Sequence, residues 1–133
     1  RHYRESPVNA IWEGSGNVQA LDMLRALSRS PEVLDAWNAE LGKTRGASGE
    51  LDAAVQAVQQ ALGDPEEVEY RARRTVDQLA LVMQASLLVQ AGNQAVADAF
   101  IASRLGQRGE RNFGTLPRGL DLETILQRAN PRG

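Results

Sequence analysis

Five apolar residues, Leu51, Ala54, Val55, Val58 and Leu62, return at the i, i+3, i+4, i+7 spacing of one helix face and stop at Gly63. A helix with one apolar stripe is stable only if another element covers that stripe, so the chain must supply partners for it. The partners are helical too. Only 5% of the residues are aromatic, β-branched runs are absent, and Ala, Leu, Gln, Glu and Arg dominate, which favours helix over strand.

Caps and breakers divide the rest of the chain. Asn17 suits the cap of a helix whose residues Val18, Leu21, Leu24 and Leu27 recur at three-residue steps, with Ala20 and Met23 widening the buried face. Ser30-Pro31 is a stop and restart, because Ser suits an N-cap and Pro, lacking an N–H, suits the first helical position. The next helix runs to about Leu41, buries Val33, Leu34, Trp37 and Leu41, and ends at Gly42. Lys43 to Gly49 reads as a flexible connection. Asp64-Pro65-Glu66-Glu67 is a capping-box signature opening a long helix that reaches about Ala91. Its second half, Leu79 to Met83 and Leu87 to Val89, is apolar on nearly all sides, as expected at the centre of a bundle. Gly92-Asn93 breaks it. A helix from Gln94 to Leu105 buries Val96, Phe100 and Ile101, and Trp37, Met83 and Phe100 all sit at core spacing. Gly106 to Gly119 reads as a loop, and Asp121 caps a short helix carrying Leu122, Ile125 and Leu126 before a frayed tail. The predicted fold is all-α, an antiparallel helical bundle, in which residues 1–133 form a single helical domain. Residues 1–16 differ in kind, 17–105 make the bundle, and 106–133 make an Arg/Gly loop and a terminal helix.

Composition removes several function classes. The 133 residues suffice for one core and not two. The most apolar run, Leu79 to Ala91, is interrupted by Gln84 and Gln90, so no segment spans a bilayer. With no cysteine there is no disulfide framework and no thiolate metal site, and a cytoplasmic location is expected. His2 is the single histidine and is expected to be exposed, which argues against a metal centre and a Ser-His-Asp triad. The chain starts at Arg1 rather than Met and reads as a fragment of a longer protein. Its formal charge of -2 hides a segregation: residues 1–29 sum to +1, 30–70 to -7 and 71–133 to +4.

The segment Pro7-Val8-Asn9-Ala10-Ile11-Trp12-Glu13-Gly14-Ser15-Gly16-Asn17 places one carboxylate between large apolar groups and a Gly-Ser-Gly turn that opens onto a helix. Ile11 and Trp12 can desolvate Glu13, which raises a carboxyl pKa and makes a better base near neutral pH. The helix N-terminus at Asn17 acts the other way, favouring the ionised form. Gly14 and Gly16 let the backbone approach a ligand closely, and N–H groups at a helix start suit a phosphate or an electron-rich ring edge. The same residues also read as a plain glycine turn beside a solvated acid.

Tyr3-Arg4-Glu5-Ser6-Pro7, Ile11 to Val18 and Leu21-Asp22 with Leu24-Arg25 resemble the carboxy-terminal part of acyl-CoA dehydrogenases. The Trp-Glu-Gly-Ser-Gly-Asn version, followed by about a hundred residues, is more similar to the AidB-like, alkylation-response branch of that family. The resemblance implies the C-terminal helical domain of an acyl-CoA dehydrogenase-like fold, within an FAD-dependent parent that dehydrogenates acyl-CoA thioesters at the α and β carbons. It implies Glu13 as the catalytic base, Gly14 against substrate, and Ser15, Gly16 and Asn17 against the flavin. Trp12 stands where the family more usually has Tyr, and Gly16 where it has Ser or Glu. A homotetrameric parent follows from the same resemblance, as does an isolated fragment without activity.

Arginines supply the other reading. Arg71, Arg73 and Arg74, with Arg104, Arg108 and Arg111, can contact phosphates if they converge on one face, and the resembling branch is associated with double-stranded DNA. Glu66, Glu67 and Glu69 lie close to the first cluster, so salt-bridged or solvated helix faces account for these arginines equally well.

Overall fold

The computed structural model describes residues 16–106 and 114–130. Among these residues there are seven helices and no strands: α1 Gly16–Arg29, α2 Pro31–Gly42, α3 Gly49–Leu62, α4 Pro65–Tyr70, α5 Ala72–Gln90, α6 Gln94–Arg104 and α7 Leu122–Ala129. The all-α bundle read from periodicity is the fold observed. Helix α5 is its centre, packing against α1, α2, α3 and α6, while α7 rests on α6.

The central position of α5 follows from its composition. Leu79, Val82 and Ala85 are buried on it, and they meet Leu41 of α2, Leu51 and Val58 of α3 and Ile101 of α6. Trp37, Met83 and Phe100 pack against this cluster as partly buried residues, in the core role their spacing indicates. No helix is long and apolar enough to cross a membrane among the described residues.

Local chemistry sets most boundaries. Ser48 Oγ accepts from the Leu51 N–H at 3.4 Å, Asn93 Oδ1 from Val96 at 3.1 Å and Asp121 Oδ1 from Thr124 at 3.1 Å, each satisfying a donor that the first helical turn leaves open. Ser30 makes no such side-chain bond, so Pro31 at the first position is what starts α2.

Four expectations are corrected. The single helix expected from Asp64 to Ala91 is two, because Arg71 sits at φ -107 and ψ 25, outside the helical well. Helix α4 is tied to α3 as well as α5, whereas α5 follows the bundle, and exposed Tyr70 and Arg71 at the junction provide no packing to hold one straight axis. The first helix begins at Gly16, one residue before the expected cap Asn17. Val18, Met23 and Val33 are exposed, because α1 and α2 each turn only a narrow stripe toward the core, through Ala20 and Leu27 on one and Trp37 and Leu41 on the other. The Lys43 to Gly49 connection is anchored rather than loose: Thr44 is buried, and the Gly46 N–H donates to both oxygens of Asp52 at 3.3 and 3.0 Å.

Candidate functional site

Of the residues tied to a flavin pocket, Glu13, Gly14 and Ser15 lie outside the described residues, while Gly16 and Asn17 form the first two positions of α1. Gly16 is half-buried and Asn17 exposed. What covers Gly16 is Arg73, which reaches across from α5. A Cβ built on Gly16 would fall inside the Arg73 guanidinium, so a side chain at position 16 and this placement of Arg73 exclude each other. Asp77, one turn along α5, holds the same guanidinium with Oδ1 3.5 Å from Nε. The carboxylate matters here because a cation beside the positive end of α1 is otherwise unfavourably placed. Arg73 therefore belongs to the start of α1, a role that its place in an arginine run does not reveal.

Arg71, Arg74 and Arg104 come together elsewhere. They line an open groove of about 900 Å³ between α3 and α5, closed at one end by the last turn of α6. Arg71, the residue just before α5, and Arg74 on its first turn both line the groove, whereas Arg73 points round the helix toward α1. Arg108 and Arg111 lie outside the described residues. The wall opposite the arginines is made by Ala53, Ala57 and Ala61 of α3, with Glu50 as the one carboxylate in the lining. Sequence reasoning took α3 for its buried stripe alone and passed over this second line of small residues at four-residue spacing, which was a readable signal.

Two carboxyls elsewhere on the surface, Glu40 and Asp121, have lowered pKa values. The Glu40 carboxyl is held below its ordinary value by hydrogen bonds from Lys43 and then Gln90, against a smaller opposing effect of desolvation. Asp121 is lowered by its bonds from the side chain and backbone of Thr124. These are capping and surface-network groups. Among the described residues no three His, Cys, Asp or Glu side chains gather as a metal site would require.

An all-helical domain is what the resemblance to the acyl-CoA dehydrogenase-like class implies, and comparison shows that class. The chain is 36% identical over 109 residues to the Escherichia coli (strain K12) protein described as "Putative acyl-CoA dehydrogenase AidB", a match covering 82% of the chain. The chain belongs with the acyl-CoA dehydrogenase-like proteins, as a counterpart of the carboxy-terminal part of AidB. It spans 20% of that relative's length. No family model and no solved structure matches.

Proposed function

We propose that the chain is the flavin-proximal helical domain of an FAD-dependent oxidoreductase, with Glu13 as the base that takes the α-proton of an acyl-CoA thioester. The observation that carries the reading is the 36% identity to an acyl-CoA dehydrogenase-like protein over 82% of the chain. The start of α1 fits the cofactor's needs: its first-turn N–H groups have no intrahelical acceptor, and Asn17 presents an exposed amide beside them. FAD, when bound, supplies the redox chemistry by accepting hydride from the β-carbon. The chain's own part is to place a carboxylate, keep its environment tuned and offer Gly14 to the substrate and Ser15, Gly16 and Asn17 to the flavin. A homotetrameric parent accompanies this reading and rests on the resemblance, and the cytoplasmic location proposed with it rests on the lack of cysteine.

The test uses the full-length parent. Glu13→Gln keeps size and hydrogen bonding but cannot accept a proton, so flavin absorbance should persist while reduction by acyl-CoA falls at least about a hundredfold. An unchanged reduction rate removes Glu13 from the chemistry.

Binding of double-stranded DNA is the other reading of the arginines. It requires one outward basic face, and of the six candidate arginines the four that are described divide between the start of α1, with Arg73, and the groove, with Arg71, Arg74 and Arg104. A gel shift at two salt concentrations tests it, since phosphate contacts would make affinity fall steeply with salt. No shift of the full-length protein at low salt ends that reading.

A further inference from the structure

The groove between α3 and α5 combines two chemistries that neither a flavin pocket nor a phosphate surface uses together. Along α3, Gly49, Ala53, Ala57 and Ala61 follow at four-residue intervals and form one continuous wall without bulky side chains. At a rise of about 1.5 Å per residue, that wall is about 18 Å long. Facing it, α5 presents Arg74 and Gln78, Arg71 lies just before its first turn, and Arg104 closes one end. Glu50 is the one carboxylate in the groove's lining, and Arg71 already has an interaction of its own, which leaves Arg74 and Arg104 as the cations that matter here. Arg74 and Arg104 form no ion pair among the described residues. Arg104 is half-buried, where screening by water is weaker and an incoming anion gains more than on open surface.

The alanine wall limits what can bind. From Ala53 onward it lies within a helix whose backbone groups are already paired, so that stretch offers little to a strand or coil that needs hydrogen bonds. A small organic anion could meet the arginines, but Ala53, Ala57, Arg71 and Arg74 are exposed and the trough would leave such a ligand half in water. A DNA duplex would touch the guanidinium tips and leave the alanines uncovered. A helix satisfies its own backbone, approaches closely over small residues and carries carboxylates at three- and four-residue spacing to match the arginines.

We propose that this groove docks an acidic amphipathic helix of a partner protein, with small apolar side chains on the Ala53, Ala57 and Ala61 wall and carboxylates on Arg74 and Arg104. The proposal is independent of the role of Glu13. Its test uses the 133-residue chain and a fluorescein-labelled designed peptide of about four helical turns, bearing Glu beside an Ala/Leu face, followed by fluorescence anisotropy. A second peptide has Gln in place of each Glu. The acidic peptide should bind at least about tenfold more tightly than its Gln version, and Arg74→Glu with Arg104→Glu should weaken it by at least about tenfold. Ala57→Leu fills the trough and keeps every charge; it too should weaken binding about tenfold, with far-ultraviolet circular dichroism unchanged because Ala57 is outside the core. Ala53→Leu serves as a second filling variant. Equal binding of the two peptides, or binding indifferent to both filling variants, overturns the proposal. A DNA duplex that displaces the peptide and ignores Ala57→Leu would make the groove a phosphate surface and overturn it. Self-association of the chain that Ala57→Leu abolishes would assign the groove to a second copy, which also overturns it.

Discussion

Thr44 and Ser86 are two of the three buried hydroxyl residues among the described residues, the third being Thr75, and their hydrogen bonds run in one direction. Thr44 Oγ1 lies 3.1 Å from the Leu41 carbonyl and 2.8 Å from Ser86 Oγ. With its single proton on Leu41, Thr44 must accept from Ser86, which in turn accepts from Gln90 Nε2 at 3.4 Å. The two single substitutions should therefore differ in cost. Thr44→Val keeps the shape but leaves the Ser86 proton without its acceptor at a site with 0% exposure. A stranded buried group costs about 1–3 kcal/mol, and Ser86 can recover part of that by turning to the carbonyl one helical turn back, so about 1.5 kcal/mol is expected. Ser86→Ala leaves the Thr44 bond to Leu41 intact and should cost about half as much. The double variant strands nothing, so its cost should fall at least about 1 kcal/mol short of the sum of the singles. Urea unfolding followed by far-ultraviolet circular dichroism measures all four proteins, with m expected unchanged. For a chain of this size the Thr44→Val loss corresponds to a midpoint lowered by about 5 °C. Thr44→Val as stable as the unsubstituted chain, or strict additivity in the double variant, would refute the directional chain of bonds.

Val82→Ala removes two methyl groups from a site with 0% exposure among Leu79, Ala85 and Ile101, and should cost about 2–3 kcal/mol in the same urea assay. Glu40 has a folded-state pKa below its ordinary 4.5, so its contribution is present above that value and is lost as pH falls through the lower, folded one. Thermal midpoints of Glu40→Gln should accordingly fall less than those of the unsubstituted chain below about pH 4.5. Gly16→Ala displaces the Arg73 guanidinium, but that group ends a flexible side chain that is 57% exposed, and alanine favours the helix. Its stability should change by no more than about 0.5 kcal/mol, and a loss above about 1.5 kcal/mol would mean the guanidinium has nowhere else to go.

The helices were legible where two local signals agreed. Val58 is buried and Gly63 follows the end of α3 because apolar spacing and the breaker point the same way, and Asp121 caps α7 through a bond its side chain makes within its own turn. Signals depending on a distant partner were not legible. Nothing near Arg71 is a breaker, and the break between α4 and α5 follows from α4 being held against α3. Likewise Val33 lies on a plausible apolar face and is exposed because the neighbours of α2 stop at Trp37 and Leu41. The Lys43 to Gly49 segment looked loose because glycine and serine suggest freedom, yet Ser86, 42 residues away from Thr44, fixes it from across the core.

The arginines show the same limit at the candidate site and lead to a different experiment. Arg71, Arg73 and Arg74 form one run in the sequence, and a run suggests a common task. Arg71, however, lies at the break before α5, and Arg73 and Arg74 are adjacent on the helix, where successive side chains point about 100° apart, so the run serves two faces. Arg73 goes to Gly16 together with Asp77, its fourth neighbour, and Arg71 and Arg74 go to the groove with Arg104 from another helix. Neutralising the three together would perturb the start of α1 and the groove at once, and no loss of function could then be assigned to either. Separating them makes the two sites distinguishable: Arg73→Ala, alone, reports on the start of α1, and Arg74→Ala with Arg104→Ala reports on the groove. If the two sites work independently, the first variant changes flavin-linked properties of the parent without touching peptide affinity, and the second does the reverse.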